Sequence, residues 1–141
     1  MKAFQFSLEK ILELREFRLK EVERKLAEKV GRCLQLESAI ARRLELQVLT
    51  RRESANLDFY ERRTAERYIS RLDHEIQNLN LELNQAIVER EKVAEEFRKA
   101  LAEKKSLENV KSKVFERYRK ESKRWETLQM DDQFQSFRGE P

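Results

Sequence analysis

The chain has 141 residues, of which 41% are charged, yet its formal net charge at pH 7 is only +4. With two glycines, one proline and regularly spaced apolar residues, this composition is typical of a coiled coil or a long helix rather than of a disordered segment. It excludes a globular core of several layers, and it contains no apolar run long enough to cross a bilayer.

The first predicted helix covers residues 8–52 and follows Ser7, a residue type that caps helix N-termini well. Its apolar residues recur mostly in steps of four and three, which defines one narrow face, or seam. The seam consists of Leu8, Leu12, Arg15, Leu19, Val22, Leu26, Val30, Cys33, Leu36, Ile40, Leu44 and Val48. The steps after Leu26 and after Ile40 depart from a strict heptad, so we expect the supercoil to relax there.

The predicted turn covers residues 53–58, where the apolar spacing fails and Ser54, Asn56 and Asp58 lie close together. Asp58 followed by Glu61 has the spacing of a capping box, which indicates that a second helix begins there. An unbroken single helix that pairs with a second copy is the competing topology, because neither glycine nor proline marks the turn.

The second predicted helix covers residues 59–130 and carries the longest regular pattern in the chain. Its seam has an average spacing of about three and a half residues, the mark of a helix packed along a supercoiled partner. The seam consists of Ala65, Ile69, Leu72, Ile76, Leu79, Leu83, Ala86, Arg90, Val93, Phe97, Ala100, Lys104, Leu107, Lys111, Val114, Tyr118, Glu121, Trp125 and Leu128. The exceptions to the apolar series are Arg90, Lys104, Lys111 and Glu121.

Two helices joined by a short turn are expected to lie antiparallel. We therefore predict one all-α domain over residues 1–132, an antiparallel two-helix coiled-coil hairpin whose longer second helix overhangs the first. Residues 133–141 are predicted to form a flexible tail. Pairing back from the turn places Leu8 opposite the region of Leu107. The predicted overhang leaves seam residues without an internal partner, namely Val114, Tyr118, Trp125 and Leu128.

The overhang also holds the most basic segment of the chain. Its charged residues are Lys111, Lys113, Arg117, Arg119, Lys120, Lys123 and Arg124 against Glu116 and Glu121. Tyr118 and Trp125 lie among them, and arginine beside aromatic residues is typical of protein interfaces. Binding to nucleic acid through phosphates and an ordinary solvated surface are the alternatives. We favour a protein partner and expect no nucleic-acid partner.

The sequence lacks the residues that catalysis or metal binding needs. Cys33 is the only cysteine and His74 the only histidine, so a conventional zinc site and an internal disulfide have too few ligands or partners. Cys33 falls on the seam and is predicted to be a small core residue. No phosphate-binding loop occurs, and His74 has no spacing to a nucleophile. We predict a protein that is not an enzyme, without catalytic residues, cofactor or metal, and, in the absence of a signal-peptide core, located in the reducing cytoplasm.

The N-terminal pattern resembles the opening of the FliJ family, small cytoplasmic proteins of the flagellar type III export apparatus. That pattern is Phe4-x-Phe6-x-Leu8-x-x-Ile11-Leu12-x-Leu14-Arg15-Glu16. The segment after the predicted turn, Tyr68-Ile69-x-x-Leu72-x-x-x-Ile76, is similar to the same family. Length, charge and the two-helix layout agree with this resemblance over most of the chain.

The resemblance implies an antiparallel coiled coil similar to the rotary stalk, the gamma subunit, of ATP synthase. It implies a non-enzymatic central stalk in a hexameric flagellar export ATPase, which couples the ATPase ring to a membrane export gate and to chaperones that carry export substrates. The expected location is the cytoplasm, peripheral at the inner membrane through the export apparatus and without direct membrane insertion. The alternative is a structural or scaffold coiled coil that self-associates without an ATPase partner.

The resemblance also implies which residues make the contacts. The expected ATPase contacts are Phe4, Phe6, Leu8, Arg15, Arg117, Arg119, Lys120, Arg124 and Trp125. The expected contacts with the export gate lie near the turn, at Arg51, Phe59, Tyr60, Arg63 and Tyr68.

Overall fold

The computed structural model describes residues 2–138, which form two helices joined by a short turn. Helix α1 covers Glu9–Ser54 and helix α2 covers Phe59–Arg138. No strand occurs between residues 2 and 138. The prediction of an all-α helical hairpin with a longer second helix is confirmed.

The chain divides into two compact units. Unit 1 contains both ends of the chain, Met1–Lys20 and Arg98–Pro141, and unit 2 contains the turn within Glu21–Phe97. Each unit therefore combines a piece of α1 with a piece of α2.

Ion pairs in unit 2 establish the antiparallel direction of the helices. They join Arg43 to Glu75 at 2.9 Å, Arg32 to Glu82 at 3.2 Å, Lys29 to Glu89 at 3.0 Å and Lys25 to Glu96 at 3.6 Å. As the residue number falls along α1, it rises along α2, so the helices run in opposite directions. Ion pairs of this kind near the surface contribute only about 0.2–1 kcal/mol each. They add little stability, but they show which residues of the two helices lie opposite each other.

The core of unit 2 is a thin layer between two seams. Cys33, Leu36 and Ala86 are buried, and partly buried residues from α2 pack against them, namely Leu79, Leu83 and Ile87. Cys33 is 1% exposed, which confirms its prediction as a small core residue. Small residues at such positions allow the two backbones to approach closely.

The seam of α1 keeps its strict spacing toward the turn, and here the prediction is wrong. Leu44 and Val48 are 48% and 46% exposed. The buried and half-buried positions after Leu36 instead follow steps of four and three through Ile40, Arg43, Gln47 and Thr50. The reason is geometric, because two helices can stay in contact only along a regular seam, whichever side chains occupy it.

The polar groups on this part of the seam all find partners. Gln47 is 4% exposed, and its Nε2 donates to the Ile69 carbonyl at 3.1 Å and to Asp73 Oδ1 at 2.5 Å. Arg43 bonds the Glu75 carboxylate and also donates to the Ala39 carbonyl at 3.2 Å. Ile69, Asp73 and Glu75 each lie at one specific height on α2, so the bonds to these three residues select one register of the hairpin.

The turn ends at Asp58, the residue that the sequence indicates as the cap of the second helix. Asp58 Oδ1 accepts the N–H of Glu61 at 2.8 Å, which satisfies a free amide at the start of α2. The Arg62 guanidinium donates to the Ala55 carbonyl at 3.1 Å, and the Leu57 N–H donates to the Ser54 carbonyl at 3.2 Å. The turn therefore needs no glycine or proline, because side chains and local backbone bonds replace them.

Unit 1 pairs the helices about one turn further along α2 than predicted. Glu9 bonds Lys111 at 2.8 Å and Arg15 bonds Glu103 at 2.7 Å, whereas the sequence places Leu8 near Leu107. Helix α1 begins at Glu9, and the Phe6 carbonyl, rather than the Ser7 hydroxyl, accepts the Glu9 N–H at 3.1 Å. Residues 2–8 therefore remain non-helical and are available to pack on α2.

Helix α2 continues to Arg138, beyond its predicted end at residue 130. Residues 133–138 were expected in a flexible tail but are helical, and residues 139–141 lie outside the described part. Arg138 lies over the ring of Phe134, 4.8 Å from its centroid. A cation in the last turn also suits the helix dipole.

Substitution of Gln47 tests the register. We expect Gln47→Ala to lower the free energy of unfolding by about 1–3 kcal/mol, because the Ile69 carbonyl and Asp73 lose a buried donor. Gln35→Ala is the matched control, since Gln35 is an exposed glutamine of the same helix, and it should change stability by less than about 0.5 kcal/mol. Urea unfolding measures both, and equal losses would contradict the role given to Gln47.

Candidate functional site

The N-terminal strap, residues 2–8, covers part of the α2 seam in unit 1. The ring of Phe4 lies 5.0 Å from that of Phe115, edge to face, and 5.4 Å from that of Tyr118. The Tyr118 hydroxyl donates to the Lys2 carbonyl at 2.9 Å. Tyr118 was predicted to lack an internal partner, and this prediction is wrong. The non-helical strap covers Tyr118 at a height on α2 that helix α1 does not reach.

The predicted contact residues near the N-terminus are occupied within the chain itself. Phe6 is 8% exposed and Leu8 is half-buried. Arg15 is held by Glu103 at 2.7 Å, and Phe4 belongs to the aromatic cluster on α2. Phe4 and Arg15 thus contact α2 at different heights, at Phe115 and at Glu103, and both help to attach the N-terminal part of the chain to α2.

Two open grooves share Phe4 and Lys111 in their linings. One has a volume of about 520 Å³ and is lined by Phe4, Gln5, Phe6, Ser7, Glu9, Lys10 and Lys111. The other has a volume of about 510 Å³ and is lined by Phe4, Leu12, Glu16, Glu108, Lys111, Ser112 and Phe115. Both are large enough to receive apolar side chains of another protein between charged rims.

The overhang, residues 119–138 of α2, lies beyond the strap. Its residues are exposed apart from the half-buried Ser122. Trp125 is 43% exposed and Leu128 is 62% exposed, although both occupy seam positions. The seam thus continues past the point where the described part of the chain covers it, which is the usual mark of a surface made for another protein.

The basic cluster consists of Arg117, Arg119, Lys120, Lys123 and Arg124. A shallow cavity of about 400 Å³ is lined by four of them together with Glu121. Arg119 pairs with Glu116 at 3.5 Å, whereas the other four form no ion pair within residues 2–138. Lys111, predicted to belong to this group, is instead neutralised by Glu9. Neighbouring cations on one helix repel each other, so an acidic surface placed beside them would lower this repulsion.

The residues predicted to contact the export gate lie around the turn of unit 2. Phe59 and Tyr60 are 70% and 80% exposed, and their rings stand edge to face at 5.8 Å. Arg51 and Arg63 are exposed. Tyr68 lies about two and a half turns further along α2, half-buried beneath the guanidinium of Arg71 at 5.3 Å. The structure joins Phe59 to Tyr60 but not Tyr68 to either.

Two apolar surfaces escaped the sequence analysis. On α2, Met130, Phe134 and Phe137 are 71%, 61% and 82% exposed. Their spacing of four and three residues was visible in the sequence but lies in the segment predicted to be flexible. On α1, the exposed group comprises Ile11, Leu14 and Phe17, which lie off the seam and carry no regular heptad signal.

Among residues 2–138, no group of three histidine, cysteine, aspartate or glutamate side chains is placed to hold a metal ion. No helix in that range combines the length and hydropathy that crossing a membrane requires. The exposed surfaces of unit 1 combine an apolar seam with cations along its flank, an arrangement suited to binding.

Comparison with known proteins places the chain in a family. The model of the family described as flagellar FliJ protein matches residues 4–140. No curated protein and no solved structure matches the chain. The family match includes the aromatic residues of the strap, both helices and the overhang, nearly the whole length of the sequence. The chain therefore belongs to the FliJ family.

Proposed function

We propose that this chain is the non-enzymatic central stalk of the flagellar type III export ATPase and couples its hexameric ring to the export gate and to chaperones that carry export substrates. Membership of the FliJ family gives the chain a role in flagellar export and an association with the export apparatus. The stalk, its three partners and a cytoplasmic location, peripheral at the inner membrane through the gate, are the proposal.

The observation that carries this proposal is the uncovered overhang. Trp125 and Leu128 lie on the seam face, whereas Phe134 follows Trp125 by nine residues, or about two and a half turns, and therefore lies on the opposite face. A helix with exposed apolar residues on opposite faces gains most from a partner that surrounds it. A ring with a central opening is such a partner, and a shallow groove on a single protein is not.

Charge supports the same partner. Arg117, Lys120, Lys123 and Arg124 form no ion pair in the described part of the chain. Acidic loops around the opening of a ring would neutralise them, guide the approach of the overhang and favour one orientation. The apolar seam would then supply affinity, while the cations supply specificity and rate of association.

The coupling follows from a difference in symmetry. One hairpin inside a ring of six identical subunits contacts each subunit differently, so the subunits become non-equivalent. A stalk that binds the assembled ring better than the free subunit also favours assembly, because binding shifts the equilibrium toward the state that it prefers. Neither step requires catalytic residues on this chain.

The turn of unit 2 is proposed to contact the gate. The exposed ring pair Phe59 and Tyr60, with Arg51 and Arg63 near the turn, provides an aromatic and basic surface in unit 2. Aromatic side chains beside arginine are the residue types that most often dominate binding energy at interfaces.

Mixing the protein with its export ATPase tests the central claim. We expect the rate of ATP hydrolysis to rise and the ATPase to elute at the size of a larger oligomer, because the overhang stabilises the ring. A scaffold coiled coil without an ATPase partner predicts that neither quantity changes, and that outcome would reject the stalk.

Trp125→Ala tests the overhang as the contact. We expect the affinity for the ATPase to fall about tenfold or more, since a buried tryptophan at an interface commonly contributes 2 kcal/mol or more, while helix content measured by circular dichroism stays the same. Leu81→Ala is the matched control, because Leu81 is an apolar residue of the same helix that is 64% exposed in unit 2. Equal affinity of both variants would remove Trp125 from the interface.

The double substitution of Phe59 and Tyr60 by alanine tests the turn. We expect binding to the cytoplasmic part of the export gate to fall at least fivefold, because both exposed rings are removed, and stimulation of the ATPase to remain. Surface plasmon resonance with the gate and hydrolysis assays with the ATPase measure the two effects separately. Loss of both activities, or of neither, would contradict the assignment of the turn and the overhang to separate partners.

A further inference from the structure

We propose that unit 2 pairs with unit 2 of a second copy of this chain, through a row of exposed residues on α1. The row lies beside the seam and has no part in the proposed function. The inference does not rest on that function, because it concerns the isolated protein.

The flank row is a second regular pattern on α1. Its members recur in steps of four and three, as seam residues do, and all six are exposed. They are Val30, Leu34, Glu37, Ala41, Leu44 and Val48. The four large apolar members are each between 38% and 59% exposed. This spacing is typical of a helix face that packs lengthwise against another helix.

The ion pairs between the helices of unit 2 lie along the other edge of the hairpin. Their acidic partners are spaced by seven residues on α2, at Glu75, Glu82, Glu89 and Glu96. Each of these glutamates directly precedes a seam position, whereas most members of the flank row directly follow one. In an antiparallel pair, residues that precede seam positions share one edge and residues that follow them share the opposite edge. The flank row therefore lies on the edge away from these ion pairs.

The part of α2 that borders the flank row is neutral. The α2 residues that directly follow seam positions there are Gln77, Asn80, Asn84 and Ile87. They lie level with the row because Arg43 bonds Glu75 and Arg32 bonds Glu82. A second copy presents the same neutral residues, so α2 adds no like-charge repulsion along this stretch.

The apolar members of the flank row are arranged symmetrically. Residue 39 is midway between Val30 and Val48, and it is also midway between Leu34 and Leu44. An antiparallel pair with its two-fold axis beside residue 39 therefore sets valine level with valine and leucine level with leucine. This register alone brings all six positions of both copies together. Because a two-fold dimer requires such a self-complementary surface, the row fits a second copy of this chain.

Glu37 limits the strength of the contact. It interrupts the apolar members of the row and lies level with Ala41 of the other copy, once on each side of the axis. The row extends over about 27 Å of helix. A contact of this length with two carboxylates near its centre is weak and reversible.

Sedimentation of the full chain over a range of concentrations tests the inference. We expect the mass to rise from monomer to dimer and the dimer to persist in high salt, because the contact is apolar and ion pairs at a surface are screened. A natural chain that remains monomeric at every concentration would overturn the proposal. Loss of the dimer in high salt would assign the association to charged surfaces and would also overturn it.

Leu34→Lys combined with Leu44→Lys tests the position of the contact. The two lysines lie level with each other across the axis, so this variant should remain monomeric. The matched control is Leu49→Lys with Leu81→Lys, two leucines of unit 2 outside the row that are 49% and 64% exposed, and it should dimerise like the natural chain. Circular dichroism should show equal helix content for both variants. Dimerisation of the first variant, or equal loss of dimer in the control, would reject the row.

Glu37→Leu provides the sharper arm, because it predicts a gain. We expect the dissociation constant of the dimer to fall about tenfold or more, since two carboxylates are replaced by apolar side chains that become buried. Glu66→Leu is the matched control, an exposed glutamate of unit 2 outside the row, and it should leave the constant unchanged. An unchanged constant for Glu37→Leu would overturn the proposal. A monomeric natural chain whose Leu34→Lys and Leu44→Lys variant loses binding to the export gate would assign the row to the gate instead.

Discussion

The contact on which the rest of this structure depends is the packing of one regular seam against another. A hairpin of two helices has no third helix that could cover apolar residues placed off the seam. The two helices therefore stay in contact only where both keep steps of four and three. The burial of Gln47 and the exposure of Leu44 show how strong this constraint is. Regular spacing determines which residue faces inward, and polar residues at those places are stabilised by bonds to α2.

The sequence predicts the hairpin because the seam residues of both helices recur with the same period and because Asp58 caps the second helix. The α2 seam was predicted well, and its members Leu72, Ala86 and Val93 are buried. The α1 seam near the turn was predicted wrongly because the apolar residues Leu44 and Val48 were assigned to it. Regular spacing instead places Arg43 and Gln47 on the seam. The strap could not be found by periodicity at all, since a non-helical segment has no helical period. Its coverage of Phe115 and Tyr118 moves the start of the overhang along α2.

The strap also divides the candidate site into two kinds of residue. Phe4, Phe6 and Arg15 are engaged with α2 in unit 1, so their immediate physical role is to attach the N-terminus. Trp125 and Arg124 have no such engagement in the described part of the chain. The N-terminal motif that carries the family resemblance therefore packs on α2, whereas the overhang residues outside that motif remain exposed.

The exposed apolar residues of the overhang lie on two faces of α2. Trp125 and Leu128 occupy seam positions, whereas Met130, Phe134 and Phe137 follow one another at steps of four and three on the other face. Burial of apolar area contributes about 25 cal/mol for each Å² removed from water. A partner that covers both faces therefore stabilises the overhang more than a partner that covers one face.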